Sequence, residues 1–493
     1  MRILFVNWVD YRDPLRRGGG VSVYQQGVID ALEQQGGHDI RFLATGLAHG
    51  FRAGVPRVIP LPGPDRRRYQ MVDSGLLAPA HADFGNPAQL DHPATVAAFA
   101  DFLARSGPYD VVHFNNLEGL PATALACAAA HGARVILSLH NYYPICPQVN
   151  LWRNEDAHCA DFEGGAACIA CLPLRPNRAM IRAAYALEWR CGRLGMGPGT
   201  AVFDRLIRPS VALGWRLWKR LRGREPGPAA SPSPLRPASQ PGVGQPEAAA
   251  FAARRAQMVA LINAHCHRVL CVSGRVRQIA IDHGIDPLRA VTCRIGSAHA
   301  GAWKRTAPRP AFLRPDGGLR LAYLGYMRRD KGFPFLIEAL AALPPEQARR
   351  LHLTVAARRG EPAMMAAMAA LRPRLAGLTH LDGYRPKELD ALLAGIDLGV
   401  VPVMWEDNLP QVAIEMHARH IPLLCSDRGG AAELGRCAAL TFRAGDRVDF
   451  ARALGGVLSG QITPVDYFRH ASPPTTPQAH VAALMAHYAA APG

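Results

Sequence analysis

Two carboxylates flank the predicted start of one helix in the second half of the chain. Asp407 precedes that helix and Glu415 lies about two turns inside it, while Asn408 can cap the helix and Pro410 suits its first turn. A carboxylate in such a place can accept hydrogen bonds from sugar or ribose hydroxyls, and free backbone N–H groups of the first turn can bind phosphate oxygens. These residues predict a site for a phosphorylated sugar or nucleotide.

A cationic turn opens another predicted helix. Arg328, Arg329 and Lys331 lie between Gly325 and Gly332, directly after a predicted strand. Their side chains are placed where the charge of a diphosphate would need compensation. The turn therefore predicts a second part of the same anionic ligand site.

Two features of the first half can also face a ligand. Gly18, Gly19 and Gly20 follow the first predicted strand and lead into a helix from about Val21, and glycines let backbone N–H groups approach a ligand closely. The same triplet also suits an ordinary flexible turn. His140 ends another predicted strand, where an imidazole either contacts a ligand or serves a structural role.

Short apolar runs alternate with helical stretches along the chain, which predicts parallel sheets covered by helices on both faces. The first series of predicted strands is Arg2–Val9, Asp39–Thr45, Val111–Asn115, Arg134–His140, Arg268–Ser273 and Ala290–Ile295. The second series is Leu319–Gly325, Leu351–Ala357, Leu378–Leu381, Leu398–Val403, Leu423–Ser426 and Ala439–Phe442. The sequence predicts an α/β fold with two Rossmann-like, doubly wound parallel-sheet domains that face each other across a cleft. Ligands of such sheets bind beyond the carboxyl ends of the strands, where the residues above lie.

The two strand series also suggest domain boundaries. Residues 1–296 form the predicted first domain and residues 319–465 the second, joined by a linker at 297–318 that is rich in Pro and Gly. Residues 466–493 include a short helix that we expect to pack back on the first domain. Glu225–Glu247 is rich in Pro, Ser, Ala and Gly and is predicted to be a disordered insert of the first domain, because the strand pattern resumes after it.

Composition narrows the class of protein. The chain has 493 residues, of which 49% are hydrophobic and 19% charged, as expected for a soluble globular protein with two or three domains. No apolar run approaches the ~18 residues that a membrane span needs, and the first residues suit a strand better than a signal peptide. Eleven cysteines, an odd number, favour a reducing compartment. We expect a cytoplasmic protein.

The net charge of +17 implies an anionic partner. Arg205–Arg224 interleaves Leu, Ile and Trp with basic residues and has no acidic residue, a pattern typical of a helix that lies on an anionic membrane surface. A solvated basic helix has the same composition. No nucleic-acid-binding module accompanies the charge, so we expect peripheral contact with the inner membrane face rather than with nucleic acid.

Four cysteines lie close together after His140. They are Cys146, Cys159, Cys168 and Cys171, the last two as a C-x2-C pair. Four such thiolates can bind a structural zinc ion, whereas a single C-x2-C pair is equally compatible with free or reversibly oxidised thiols. Both interpretations stay open at this point.

With these motifs in order, the chain resembles the retaining GT-B glycosyltransferases of family 4 over nearly its whole length. The shared features are a glycine-rich first loop, a histidine after a first-domain strand, a G-x5-K-G turn, an acidic-x7-Glu motif and a late GG-x-x-E. They fall here on Gly18–Gly20, His140, Gly325, Lys331, Gly332, Asp407, Glu415, Gly429, Gly430 and Glu433.

The resemblance implies an activity and a set of roles. The enzyme would transfer a sugar, with retention and without a metal cofactor, from a UDP-sugar or GDP-mannose to a glycan or lipid-linked acceptor. Lys331 would neutralise the diphosphate, Glu415 would bind the nucleotide ribose, and His140 would lie beside the transferred sugar. The departing diphosphate needs stabilisation of negative charge rather than a strong acid.

The acidic motif departs from the family pattern in one residue. Asp407, with Asn408, Leu409 and Pro410, would contact the donor sugar and phosphate. The family usually has Glu where this chain has Asp407, and Glu406 lies one residue earlier. The shorter side chain, or a shift of register to Glu406, would change the sugar contact.

The lysine turn also departs from the pattern, because Tyr326 replaces an arginine and the second positive charge would have to come from Arg328 or Arg329.

Both departures favour one alternative function, a non-catalytic scaffold of the same fold in a polysaccharide assembly complex. A dinucleotide-dependent oxidoreductase is another, because doubly wound sheets host both functions. Its G-x-G-x-x-G turn is missing here, because the segment from Gly18 lacks the third glycine.

Overall fold

The protein is described by a computed structural model that covers residues 1–62, 66–172, 177–211, 213 and 247–490. Within these residues the first lobe is built on an eight-stranded sheet whose strands run parallel, except that Arg57–Pro60 is antiparallel at one edge. From edge to edge the strands are Ala290–Thr292, Arg268–Cys271, Arg134–Leu139, Val111–Phe114, Arg2–Asn7, Asp39–Ala48, Arg68–Val72 and Arg57–Pro60. The fold class predicted from the strand pattern is confirmed.

The second lobe is built on a six-stranded parallel sheet. Its strands, in spatial order, are Gly377–Leu381, Leu351–Arg358, Leu319–Tyr326, Leu398–Val401, Leu423–Ser426 and Thr441–Phe442. The strand that ends in the lysine turn pairs directly with the strand that leads to the acidic turn, with Leu321 opposite Leu398. This pairing brings the two predicted ligand turns to the same end of the sheet.

Helices cover both sheets. Those of the first lobe are Gly19–Gln35, Pro93–Ser106, Ala124–Ala130, Ala166–Ile169, Arg178–Arg193, Ala248–His265 and Gly274–Asp282. The later helices are Phe333–Ala341, Pro345–Ala348, Pro362–Leu371, Leu389–Leu393, Gln411–His417, Ala432–Gly435, Arg447–Leu458, Pro464–Phe468 and Pro477–Ala489. Because both faces are covered, central strands such as Val111–Phe114 are buried at every residue and are apolar almost throughout.

All the predicted strands are present, although several end earlier than the pattern suggested. The first strand stops at Asn7, whose side-chain oxygen accepts the backbone N–H of Trp8 at 2.9 Å. The edge strand Arg57–Pro60 and its neighbour Arg68–Val72 were not predicted. Both are short and carry polar residues, so they lack the continuous apolar run that identified the central strands.

The chain returns to the first lobe at its end. The C-terminal helix (Pro477–Ala489) is capped by Thr476, whose hydroxyl accepts the N–H of Ala479 at 3.1 Å. On this helix Tyr488 bonds the buried His113 of the first lobe at 2.6 Å. The exact domain boundaries stay a prediction.

The predicted basic segment and insert fall largely outside the described residues. Residues 201–211 are helical and almost wholly exposed, whereas residues 212 and 214–246 lie outside the described part of the chain. No described helix combines the length and the hydropathy that crossing a bilayer requires.

Candidate active site

A cavity of about 320 Å³ lies between the two lobes, at the carboxyl ends of their strands. The first lobe lines it with Gly20, Val21, Tyr24, His140, Val272 and Ile295. The second lobe lines it with residues of the lysine turn (Gly325–Gly332) and its strand, and of the acidic turn (Met404–Pro410) with its flanking residues. Its volume falls within the range of about 300–1,000 Å³ that is usual for small-molecule sites.

Lys331 and Asp407 meet in this cavity. The Lys331 ammonium lies 2.6 Å from Asp407 Oδ2 and 4.8 Å from the centre of the Trp405 ring. Among the lining residues in the described part of the chain, Lys331 is the one lysine or arginine. The site thus offers a cation and a carboxylate side by side.

A glycine in the left-handed conformation holds the lysine turn close to the next strand. Gly332 has φ of 72°, and a Cβ there would lie 1.7 Å from the carbonyl oxygen of Pro402. A side chain at this position would therefore force apart the turn and the segment that follows the strand Leu398–Val401. This close approach explains why the motif needs glycine after the lysine.

The two arginines of the lysine turn do not line the cavity. Arg328 donates to Asp330 at 2.9 Å, and Arg329 forms an exposed ion pair with Asp156 of the first lobe at 3.0 Å. Tyr326 does line the cavity and is 59% exposed. The prediction that Arg328 or Arg329 supplies a second charge to the donor therefore gains no support from this arrangement.

Glu406 does not line the cavity but is buried in contacts with other residues of the protein. It is fully buried and accepts two hydrogen bonds from Arg275 of the first lobe, at 2.6 and 2.9 Å, and others from Arg428 and the Gly429 N–H. Burial would raise the pKa of this carboxyl, but these hydrogen bonds outweigh it and lower the pKa to about 2. The register with Asp407 in the cavity is therefore the one that the fold adopts.

The late glycine pair supports the acidic turn from behind. The Gly430 N–H donates to the Asp407 carbonyl at 2.9 Å, and Gly429, at φ of 70°, leaves no room for a Cβ beside the same carbonyl. Glu433 reaches across to the first lobe, where it accepts the backbone N–H groups of Gly274 and Arg275 at 3.0 and 2.7 Å. The motif thus joins the lobes beside the cavity.

Asn408 does not cap the helix, contrary to the prediction. Its amide donates to the carbonyl of Leu139 in the first lobe at 3.2 Å, and the helix begins at Gln411 after Pro410, without a side-chain cap. Leu409 and Pro410 line the cavity as expected for donor-contacting residues. The other polar atom of Asn408, Oδ1, is buried without a hydrogen-bond partner among the described residues.

Glu415 lies behind the acidic turn and outside the lining of the cavity. Its carboxylate accepts a hydrogen bond from the hydroxyl of Tyr384 at 2.7 Å and lies 3.6 Å from His299 in the predicted linker. Neither partner was predicted, because both lie far from the motif in sequence. Glu415 is therefore held in place by a phenol, and its contact with a ribose stays a prediction.

The first-lobe wall of the cavity is neutral. Burial, together with the nearby His480, lowers the pKa of His140 to about 3, and its Nε2 lies 3.2 Å from Asn115 Oδ1. The Tyr24 ring packs on the His140 ring with centroids 4.6 Å apart. Of the glycine triplet only Gly20 lines the cavity; Gly18 and Gly19 form the start of the helix, which begins at Gly19 rather than near Val21.

The four clustered cysteines are free thiols in the structure. Burial, with the neighbouring thiols, raises the pKa of Cys168 and of Cys171 to about 12, so both are protonated near neutral pH. Cys146 and Cys159 are also unpaired. Among the described residues no group of three or more His, Cys, Asp or Glu side chains is arranged to hold a metal ion, so the zinc alternative gains no support.

The fold has known relatives. In a solved-structure comparison, the α,α-trehalose 6-phosphate synthase of Burkholderia multivorans is 13% identical with a TM-score of 0.54, covering 99% of this chain and 98% of its own. The trehalose-6-phosphate protein of E. coli bound with UDP-2-fluoro glucose is 12% identical with a TM-score of 0.52 over 100% of both chains. Sucrose-phosphate synthase of Thermosynechococcus elongatus is 14% identical with a TM-score of 0.50, covering 99% and 96%. At these identities the likeness is one of fold.

Family models match both lobes. Residues 19–191 match the glycosyl transferase 4-like domain, and residues 318–459 match the glycosyl transferases group 1. No curated protein sequence matches the chain. Since the two models cover one lobe each, the chain belongs to the group 1 glycosyltransferases and has the GT-B fold.

Proposed function

We propose that the enzyme takes a hexose from a nucleoside-diphosphate sugar, a UDP-sugar or GDP-mannose, and transfers it with retention of configuration, as in family 4, to a glycan or lipid-linked acceptor. The observation that carries the proposal is the contact of Lys331 with Asp407 inside the interlobe cavity. An ammonium can bind diphosphate oxygens, while a carboxylate beside it can accept hydroxyl hydrogens of the sugar. A protein of similar fold bound with UDP-2-fluoro glucose supports a uridine nucleotide.

The proposed chemistry is departure of the nucleoside diphosphate. Lys331 stabilises the negative charge that develops on the leaving group, a role that needs no metal ion in this proposal. Asp407 orients the sugar by its hydroxyls. His140 is neutral in its buried environment. It can therefore form a hydrogen bond with the sugar without placing a positive charge next to the forming oxocarbenium centre.

The donor proposal is tested by a thermal-shift panel of UDP, GDP and their sugars, followed by an assay of donor hydrolysis. We expect one nucleoside diphosphate to raise the melting temperature in a concentration-dependent manner, because a ligand stabilises the folded state in proportion to its affinity. Absence of both a shift and turnover with every donor would instead favour the non-catalytic scaffold. The measurement therefore separates the two functions.

The acceptor side of the proposal includes contact with an anionic membrane in polysaccharide or glycoconjugate synthesis. Leu206 and Val211 are exposed apolar residues that lie close in sequence to the exposed Arg205 and Arg208. Apolar side chains interleaved with cations suit the interface of an anionic bilayer. This surface belongs to the first lobe, which is the acceptor-side lobe in this proposal.

Sedimentation with vesicles tests this contact. We expect the full chain to bind vesicles that contain phosphatidylglycerol and not vesicles of phosphatidylcholine alone, with binding reduced in a Leu206→Ser/Val211→Ser variant. Val448→Ser, which replaces an exposed residue of the second lobe, is the matched control and should bind like the wild type. Equal binding by all three proteins would contradict membrane contact through this surface.

A further inference from the structure

The C-terminal helix touches the wall of the donor cavity from behind. After leaving the first lobe near Arg294 and forming the whole second lobe, the chain returns, and the Ser297 N–H donates to the Thr475 carbonyl at 3.0 Å. Gly296 allows the helix to approach closely, because a Cβ there would lie 2.9 Å from the Cβ of His480. His480 is 1% exposed, a depth at which a histidine needs partners for both ring nitrogens.

The two shortest hydrogen bonds of His480 determine which nitrogen carries its proton; Nδ1 also has a longer contact of 3.8 Å with Cys293 Sγ. Nδ1 lies 2.7 Å from the carbonyl oxygen of Arg294, which can only accept, so Nδ1 donates. Burial lowers the pKa of His480 to about 4, although the bond to Arg294 opposes this, and the ring is neutral near pH 7. Nε2 therefore accepts, and the hydroxyl of Tyr24, 2.9 Å away, donates to it.

Tyr24 transmits this contact to the cavity. Its side chain is 4% exposed and lines the cavity, and its ring lies between two imidazoles, with centroids 5.2 Å from His480 and 4.6 Å from His140. The hydrogen bond to His480 fixes the direction of the phenol, so one face of the ring stays against His140. Among the described residues, the side chain of His140 has one hydrogen-bond partner, Asn115, and this single bond leaves the ring free to tilt.

We infer that His480 is a positioning residue for sugar transfer: it orients Tyr24, and Tyr24 in turn holds His140 against the donor sugar. The inference rests on the proposed function, in which His140 contacts that sugar. Supporting groups of this kind act on rate because a small displacement beside the reacting centre lowers the fraction of productive complexes. Donor binding should be affected much less, since Lys331 and Asp407 lie on the opposite wall.

The same helix offers a matched control. Tyr488 and His113 are fully buried and form a hydrogen bond of the same kind at 2.6 Å, but neither residue lines the cavity. Tyr488→Phe therefore removes one buried bond between the helix and the first lobe without touching the wall. It reports what loosening the helix does by itself.

The test compares His480→Phe, Tyr24→Phe, the double variant and Tyr488→Phe in donor turnover, nucleotide binding and melting temperature. We expect each of the first two to lower kcat by about tenfold or more while the Kd for the nucleoside diphosphate stays within about twofold. The double variant should be no slower than the slower single variant, because both remove the same contact. His480→Gln, which can still accept from Tyr24, should recover part of kcat, and Tyr488→Phe should lower the melting temperature while keeping kcat.

Wild-type kcat in His480→Phe, an equal loss of kcat in Tyr488→Phe, or multiplying losses in the double variant would overturn the inference. A crystal structure of His480→Phe gives a readout that needs no turnover: we expect the rings of Tyr24 and His140 to leave their wild-type positions, and unchanged positions contradict the role. A wild-type enzyme that neither binds nor turns over any nucleotide sugar contradicts the proposed function instead. The two failures are therefore distinguishable.

Discussion

Lys331 and Asp407 belong to turns that follow neighbouring parallel strands, and their charged groups meet 2.6 Å apart in the cavity between the lobes. One residue before Asp407, Glu406 points the other way and is enclosed by Arg275 and Arg428. The two adjacent carboxylates thus have different roles: Asp407 lines the cavity and is available to a ligand, whereas Glu406 connects the second lobe to the first. Which is which follows from the packing around the turn.

Replacing Lys331 with Met should lower kcat/KM by about 100-fold, because the cation that stabilises the leaving diphosphate is lost. Steady-state kinetics with the donor identified by thermal shift would measure the change. Lys304→Met, which removes an exposed lysine of the predicted linker, should leave the kinetics unchanged. Equal activity in Lys331→Met and the wild type would remove Lys331 from the proposed mechanism.

Gly332→Ala should weaken donor binding and lower the melting temperature, because the new Cβ collides with the carbonyl of Pro402. Gly460→Ala is a suitable control, since Gly460 also has a positive φ, of 77°, but a Cβ there meets no atom within 4 Å. Both variants carry the backbone strain of alanine at positive φ, of order 1 kcal/mol. The difference between their melting temperatures and nucleotide affinities therefore measures the collision, and no difference would contradict the close approach.

Glu406→Gln should destabilise the protein by about 3 kcal/mol, because it leaves Arg275 and Arg428 without their buried counter-charge. The pKa of Glu406, about 2, lies below its ordinary value of 4.5, so its stabilising effect is complete above pH 4.5 and is lost as the pH falls towards 2. Denaturant unfolding at pH 7 and at low pH would show this. The difference between wild type and variant should shrink on acidification, and a constant difference would argue against an ionised Glu406.

The buried His140 should make the protein less stable in mild acid. Its pKa of about 3 in the folded state lies below the ordinary value of 6.5, so the unfolded chain binds more protons and stability falls as the pH drops from 6.5 towards 3. His140→Asn should show a shallower decline of melting temperature with pH over this range. His131→Asn, at an exposed position, serves as the control, and identical slopes in all three proteins would contradict a neutral His140.

Much of this architecture follows from the local pattern of residues. Apolar runs such as Val111–Phe114 alternate with helices because each strand of a parallel sheet must be covered on both faces, and this period is visible in the sequence. The order of the motifs likewise places Lys331 and Asp407 after strands of one sheet. These features depend on neighbours in sequence, so the sequence alone determined them.

The tertiary structure decided the contacts between distant parts of the chain. Arg275 lies 131 residues before Glu406, and His480 lies 456 residues after Tyr24, yet each pair is in direct contact. No local spacing indicates that Glu406 is the structural carboxylate, that Asn408 bonds the first lobe instead of capping its helix, or that the C-terminal helix supports the cavity wall. Such contacts arise only when the two lobes and the C-terminal helix pack together, because packing brings into contact side chains that are far apart in the sequence.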